Sequence, residues 1–221
     1  MDTLHHITRP AIDQLPRLER AALINSLPGF RALNLCGTRD LRGDSNLSIL
    51  SSVVHLGSNP PLLGMIIRPN SVPRHTLENL EATGSYTLNH LTPDIIRQGH
   101  QCSANYPVNV SEFEATGLTP WYSQSHPAPY VAESRIRIGM TFLERIDIAR
   151  NGVHLVIGEV TEIFLPREAL GQDGYVDLNA AGTVCGSALD AYHLPEFVAR
   201  LTYARPDRPV AEIDANGNPV S

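Results

Sequence analysis

Apolar residues in this chain fall into short blocks punctuated by Pro, Gly, Asn and Asp, a spacing that predicts several short strands and few helices. Residues 16–26 are the first helix candidate: Pro16 suits a first helical turn, and Pro28-Gly29 ends the segment. Residues 30–37 then read as a strand, followed by a turn over 40–45 that contains Gly43. Residues 47–56 and 62–67 read as two further strands separated by Pro60-Pro61. A short helix opening at His75 or Thr76 runs through Leu77, Leu80 and Glu81 and is closed by Gly84. Residues 86–91 return to strand. Thr92-Pro93-Asp94 reads as a capped helix start, and Ser111 with Glu114 has capping-box spacing, which predicts a helix over 112–116 stopped by Gly117. Residues 135–148 place Ile136, Ile138, Met140 and Phe142 on one face. Asn151-Gly152 predicts a two-residue hairpin turn leading into a returning strand over 153–165. Antiparallel hairpins with few helices point to a mainly β barrel with peripheral helices, not to a βαβ sheet.

Composition narrows this picture. The chain has 221 residues, 42% of them hydrophobic, which suits one domain with an N-terminal helix and an extended tail after Pro206. Only 18% are charged, which is low enough to suggest that some surface is covered by a second subunit. A net charge of −6 disfavours a nucleic-acid or anionic-membrane surface while leaving room for a local basic pocket. Cys36, Cys102 and Cys185 are widely spaced and odd in number, which argues against a disulfide framework or a zinc site. His100 and Cys102 have no second pair at ligand spacing and read as a helix end. No signal peptide or membrane span is evident, so a cytoplasmic location is expected.

The chemistry-bearing signatures are first of all negative. GxGxxG, GxxxxGK[ST] and GxSxG are all absent. What stands out is a hydroxyl-rich stretch beside a basic one. Asn46, Ser48, Ser51 and Ser52 lie on a strand and its continuation, and Arg68, Asn70, Ser71, Arg74, His75 and Thr76 lie where a strand hands over to a helix. Two readings are open on these residues alone. Such a set could hold a phosphate at a helix N-terminus, or it could be the ordinary polar face of a half-exposed sheet and its loops.

A longer pattern runs through the chain: Gly43, Asn46-Leu47, Ser51-Ser52 and Pro60-Pro61, then Arg74-His75-Thr76-Leu77-Glu78-Asn79 and an aromatic strand from Tyr86 to Asn89. It continues in Ser103-Ala104-Asn105-Tyr106-Pro107, Glu112-Phe113, Gly117-Leu118-Thr119, the stretch 129–133 and Ile157-Gly158-Glu159-Val160. In order and spacing this resembles the flavin reductase-like family, over about residues 30–192. The resemblance implies a six-stranded Greek-key split β-barrel, FMN-binding and homodimeric, with FMN near the subunit interface and NADH or NADPH as reductant. It implies FMN contacts from Asn46, Ser48, Ser51 and Ser52, phosphate contacts from Arg68, Arg74, His75 and Thr76, and an isoalloxazine ring bordered by Cys102, Ser103 and Tyr106. Two prolines, Pro69 and Pro73, depart from the pattern and leave open which arginine meets the phosphate.

The function so implied is an NAD(P)H-dependent flavin reductase whose reduced flavin serves a monooxygenase or another electron acceptor. The competing readings are a flavoredoxin-like carrier that keeps its FMN, and an oxidase of the pyridoxamine phosphate type. Hydride chemistry belongs to the flavin, so the lack of a catalytic triad weighs against none of them.

Overall fold

A computed structural model of the chain describes residues 4–69, 75–107 and 109–220. Two exposed helices lead, α1 (Arg9–Gln14) and α2 (Arg17–Ser26). Then come β1 (Arg31–Ala32), β2 (Asn34–Arg39), β3 (Ser45–Leu50), β4 (Val54–Ser58) and β5 (Pro61–Ile67). The helix α3 (His75–Thr83) and strand β6 (Ser85–His90) precede two short helices, α4 (Ile96–Gln101) and α5 (Glu112–Thr116). The rest is β7 (Pro120–Trp121), β8 (Tyr130–Val131), β9 (Arg137–Ile148), β10 (Val153–Phe164), β11 (Cys185–Ser187), β12 (Ala191–His193), β13 (Arg200–Leu201) and β14 (Glu212–Ile213).

Seven strands form the main sheet in the order β3-β2-β6-β9-β10-β5-β4, every pair antiparallel. Its two edge strands, β3 and β4, are joined in sequence by residues 51–53 alone, so the sheet must curl until its edges meet. Curling is helped by two bulges in the long β9–β10 hairpin. Ile157 faces Glu144 while Gly158 faces Phe142, and Val160 faces Met140 while Glu162 faces Gly139; each shift adds twist. A hydroxyl fastens the seam: Ser52 Oγ donates to Ile66 O at 2.9 Å and accepts from Ile66 N at 3.1 Å.

The strand β2 is buried on both faces, which explains its lack of clean alternation. Leu35 joins a cluster with Leu47, Leu91, Ile95 and Phe113 beneath α4 and α5. Cys36 joins the barrel interior with Met65, Tyr86, Leu88, Met140 and Val156, and α3 covers that interior with Leu77 and Leu80. Each fully buried leucine is worth roughly 1.5–3 kcal/mol, so α3 is held by packing more than by its own short length.

Several expectations change in detail. The strand foreseen over 30–37 breaks at Leu33. β1 leaves the barrel to pair with β11, and β11 pairs with β12 in a separate three-stranded sheet. The strand foreseen over 47–56 divides into β3 and β4 at the seam, which gives the sheet seven strands where the resemblance implies six. The helix start at Thr92 is first a 3-10 turn, Pro93–Ile95, and Thr92 makes no side-chain cap. Ser111 does not cap α5 either; its hydroxyl pairs with Ser45 Oγ at 3.0 Å. The hairpin at Asn151-Gly152 is longer than two residues: Val153 pairs with Ile148, so 149–152 form the turn. Gly152 closes it with φ of 73°, a left-handed conformation that glycine adopts without steric cost. The tail folds back as the β13–β14 hairpin. Arg200 fastens it by donating to Asp173 and to the carbonyls of Asp214 and Ala215.

Candidate functional site

A cavity of about 660 Å³ opens where the barrel seam, the start of α3, the end of α4 and the small sheet converge. That volume lies within the roughly 300–1,000 Å³ usual for small-molecule and cofactor sites. It gathers Asn46 and Ser48 from β3, Ser51 and Ser52 from the seam and Arg68 after β5. His75 and Thr76 come from α3, and Cys102, Ser103 and Tyr106 follow α4. Every sequence-derived candidate in the described part of the chain therefore faces one space. Arg74, with Asn70 and Ser71, lies outside the described residues.

The polar corner is a hydroxyl relay. Asn46 Nδ2 donates to Thr76 Oγ1 at 3.1 Å and lies 3.2 Å from Thr38 Oγ1, to which Asn79 Nδ2 also donates at 3.2 Å. Thr76 Oγ1 donates in turn to Ser48 Oγ at 2.9 Å. The relay consumes the Thr76 proton and leaves the Ser48 proton for an acceptor in the cavity. His75 and Thr76 are the first residues of α3, where backbone N–H groups lack intrahelical partners. The buried His75 Nε2 has no hydrogen-bond partner among the described residues. Arg68 is exposed at the cavity mouth. These are donors and one cation lining the same cavity, a set that suits a phosphate dianion.

Other candidates serve the cavity differently. The donor of Ser52 is spent on the seam, so its part is to shape the floor. The Cys102 thiol donates to Gln98 O and packs in the core, and burial pushes it up to about 12, which makes it a neutral wall. Tyr106 accepts from Gln101 Nε2 at 3.0 Å, which steadies its ring beside Ser103.

Some lining residues were not among the sequence-derived candidates. Glu112 Oε2 accepts the Leu47 N–H at 2.9 Å, tying α5 to β3 behind the relay. Burial holds its carboxyl above the ordinary range, opposed by that N–H and more weakly by the nearby His75. Further lining comes from Asn25, Arg31, His100 and the stretch 186–192. There His100 Nδ1 and the Tyr192 hydroxyl lie 2.7 Å apart. Arg31 and the stretch from Gly186 are brought together by pairing β1 with β11, a contact across about 155 positions that local pattern does not encode.

A seam-closed antiparallel barrel with a cofactor-sized cavity at its seam defines a split-barrel protein. The family model for the flavin reductase like domain matches residues 31–183, and the chain belongs to that family. It is 49% identical to a candidate flavin reductase with split barrel domain from Shewanella frigidimarina NCIMB 400. The match has a TM-score of 0.88 and covers 90% of this chain and all (100%) of that one. The fold is shared with nitrilotriacetate monooxygenase component B from Bacillus cereus, at 18% identity and TM-score 0.79, over 91% of this chain and 100% of that one. It is shared also with the flavoredoxin of Desulfovibrio vulgaris (Miyazaki F), at 23% identity and TM-score 0.67, over 77% and 90%. The chain is thus a flavin-related oxidoreductase of split-barrel fold. Among the described residues, no helix is long and apolar enough to cross a membrane.

Proposed function

We propose that the chain is an NAD(P)H-dependent flavin reductase that takes FMN into this cavity. In this reading the phosphate lies on the Ser48, Arg68, His75 and Thr76 corner, and the ring lies against Cys102, Ser103 and Tyr106. The observation that carries the reading is the convergence of the relay, the start of α3 and the unpartnered His75 Nε2 on one cavity. FMN, when bound, supplies two-electron redox chemistry at its ring. The chain supplies placement: hydroxyl and backbone donors fix the phosphate end, and the neutral Cys102 wall keeps water from the ring. A homodimer belongs to this reading too, with a second subunit covering the open side of the cavity; light scattering coupled to size exclusion tests it.

The defining experiment follows the absorbance of FMN-loaded protein on adding NADH or NADPH under anaerobic conditions. Rapid loss of the flavin band, with release of the reduced flavin on gel filtration, is expected. Flavin that is reduced but retained would mean an electron carrier, as the name of the flavoredoxin neighbour suggests. An unchanged spectrum with both nicotinamides would remove the reductase reading.

Substitutions in the polar corner probe the same assignment. Arg68→Ala is expected to weaken FMN binding by about 1.5–3 kcal/mol, and Ser48→Ala by the lower end of that range, as one charge-assisted hydrogen bond is lost. Flavin fluorescence titration measures both. Native affinity in the Arg68 variant would pass the cation role to Arg74.

A further inference from the structure

The cavity has a second cationic feature that the flavin reading leaves without work. Arg31 is half-buried and lines the same cavity as the hydroxyl relay. One guanidinium nitrogen, Nη2, donates to the carbonyl of Ala188 at the tip of the β11–β12 turn. Its Nε is fully buried and has no hydrogen-bond partner among the described residues. Asp190 lines the same cavity, yet no ion pair with Arg31 forms among the described residues. An unpaired buried donor on a permanently charged group is costly and persists where something else repays it. The turn that Arg31 holds is itself unusual: Ala188 has φ of 53°, a left-handed backbone conformation in a residue other than glycine, of the kind that gathers at ligand clamps.

We infer that Arg31 is the recognition residue for a second anionic ligand of the cavity, one carrying a phosphate or carboxylate group beside the bound flavin. Arg31 is supplied by the small sheet β1-β11-β12, whereas the relay is supplied by β3 and α3, so the two anion sites stand on different elements. A planar guanidinium of which only Nη2 is engaged among the described residues keeps directional donors of the kind that a carboxylate or phosphate oxygen needs. Two sources share this chemistry: the pyrophosphate of a nicotinamide dinucleotide, and the acid group of a small organic acceptor. The inference rests on the flavin reading only in giving the relay corner to the FMN phosphate.

The test is calorimetric titration of the full chain, with and without saturating FMN, using ADP-ribose as the dinucleotide probe and benzoate as the organic-acid probe. Native protein, Arg31→Gln and Arg31→Lys are compared, and the FMN dissociation constant of each is measured separately. Arg31→Gln is expected to weaken one of the two probes at least tenfold while FMN affinity stays within twofold, and Arg31→Lys should recover part of the loss. Loss confined to ADP-ribose assigns the site to the dinucleotide; loss confined to benzoate assigns it to an acidic acceptor. The inference is overturned if native protein binds neither probe at millimolar concentration, or if Arg31→Gln binds both as the native chain does. It is also overturned if FMN affinity falls as far as probe affinity, which would place Arg31 in the flavin site. If Arg31 is only a tether for the Ala188 turn, both variants lower the unfolding midpoint and leave probe affinities unchanged. Failure of the native chain to bind FMN would remove the flavin reading alone, since the titrations without FMN still report on Arg31.

Discussion

FMN is expected to bind at least about 100-fold more tightly than riboflavin, a difference of about 2.7 kcal/mol. The two flavins share the ring and differ at the phosphate, so the ratio isolates the polar corner. That corner offers the free Ser48 proton, the N–H groups at the start of α3 and the orphaned His75 Nε2, with Arg68 at the mouth. Hydrogen bonds to a charged group contribute roughly 1.5–3 kcal/mol each and do not simply add. Two effective contacts therefore suffice for the expected ratio. FAD, whose flavin-side phosphate is tied into a pyrophosphate and carries a single charge, should also bind more weakly than FMN. Fluorescence-quenching titrations of the purified chain with the three flavins measure this directly. Equal affinities for FMN and riboflavin would remove the phosphate assignment and leave the cavity as a ring site only.

Asn89→Ala should destabilise the fold by about 3–5 kcal/mol, the largest effect expected of a single side chain outside the cavity. Asn89 is fully buried on β6 and spends its whole side chain on structure. Its Nδ2 donates to Leu35 O and Thr87 Oγ1, each at 2.9 Å, and its Oδ1 accepts the Val131 N–H at 3.0 Å. Thr87 Oγ1 passes the chain of bonds on to Pro129 O at 2.6 Å. One amide thus ties β6 to β2 and to β8. Truncation leaves the Val131 N–H buried without a partner and opens a void between the two core clusters. Urea unfolding of the variant, read as a fall in midpoint at constant slope, gives the loss. A loss under 1 kcal/mol would mean that the network relaxes around the missing amide.

The sequence carried the local features well where one residue type dictates one geometry. Gly84 and Gly117 follow α3 and α5 as foreseen, and residues 112–116 are helical as the pattern predicts. It misled where a side chain had a better partner elsewhere. Ser111 and Glu114 have capping-box spacing, yet Ser111 turns to Ser45, and Glu112 reaches Leu47 because those contacts knit α5 to β3. One part of the cavity lining was legible because its residues lie close together in sequence, within 46–52 and at 68, 75 and 76. The part around Arg31 was not. Arg31 meets Gly186 across 155 positions of sequence, and a lone arginine on a two-residue strand has no local signature.

The seam at residues 51–53 makes the barrel an arch whose joint is also part of the cavity lining. Ser51 and Ser52 belong at once to the joint between the sheet's edges and to the cavity floor. A guest that contacts them recognises the closed joint and has nothing comparable to bind in the opened chain. Occupancy and closure are then linked by mass action, and a ligand at 100 times its dissociation constant adds about 2.7 kcal/mol to the folded state. If flavin is that guest, as proposed above, the molecule bound would thereby govern how long the protein survives, and a chain that released its flavin at each turnover would have to withstand repeated intervals without that added stability.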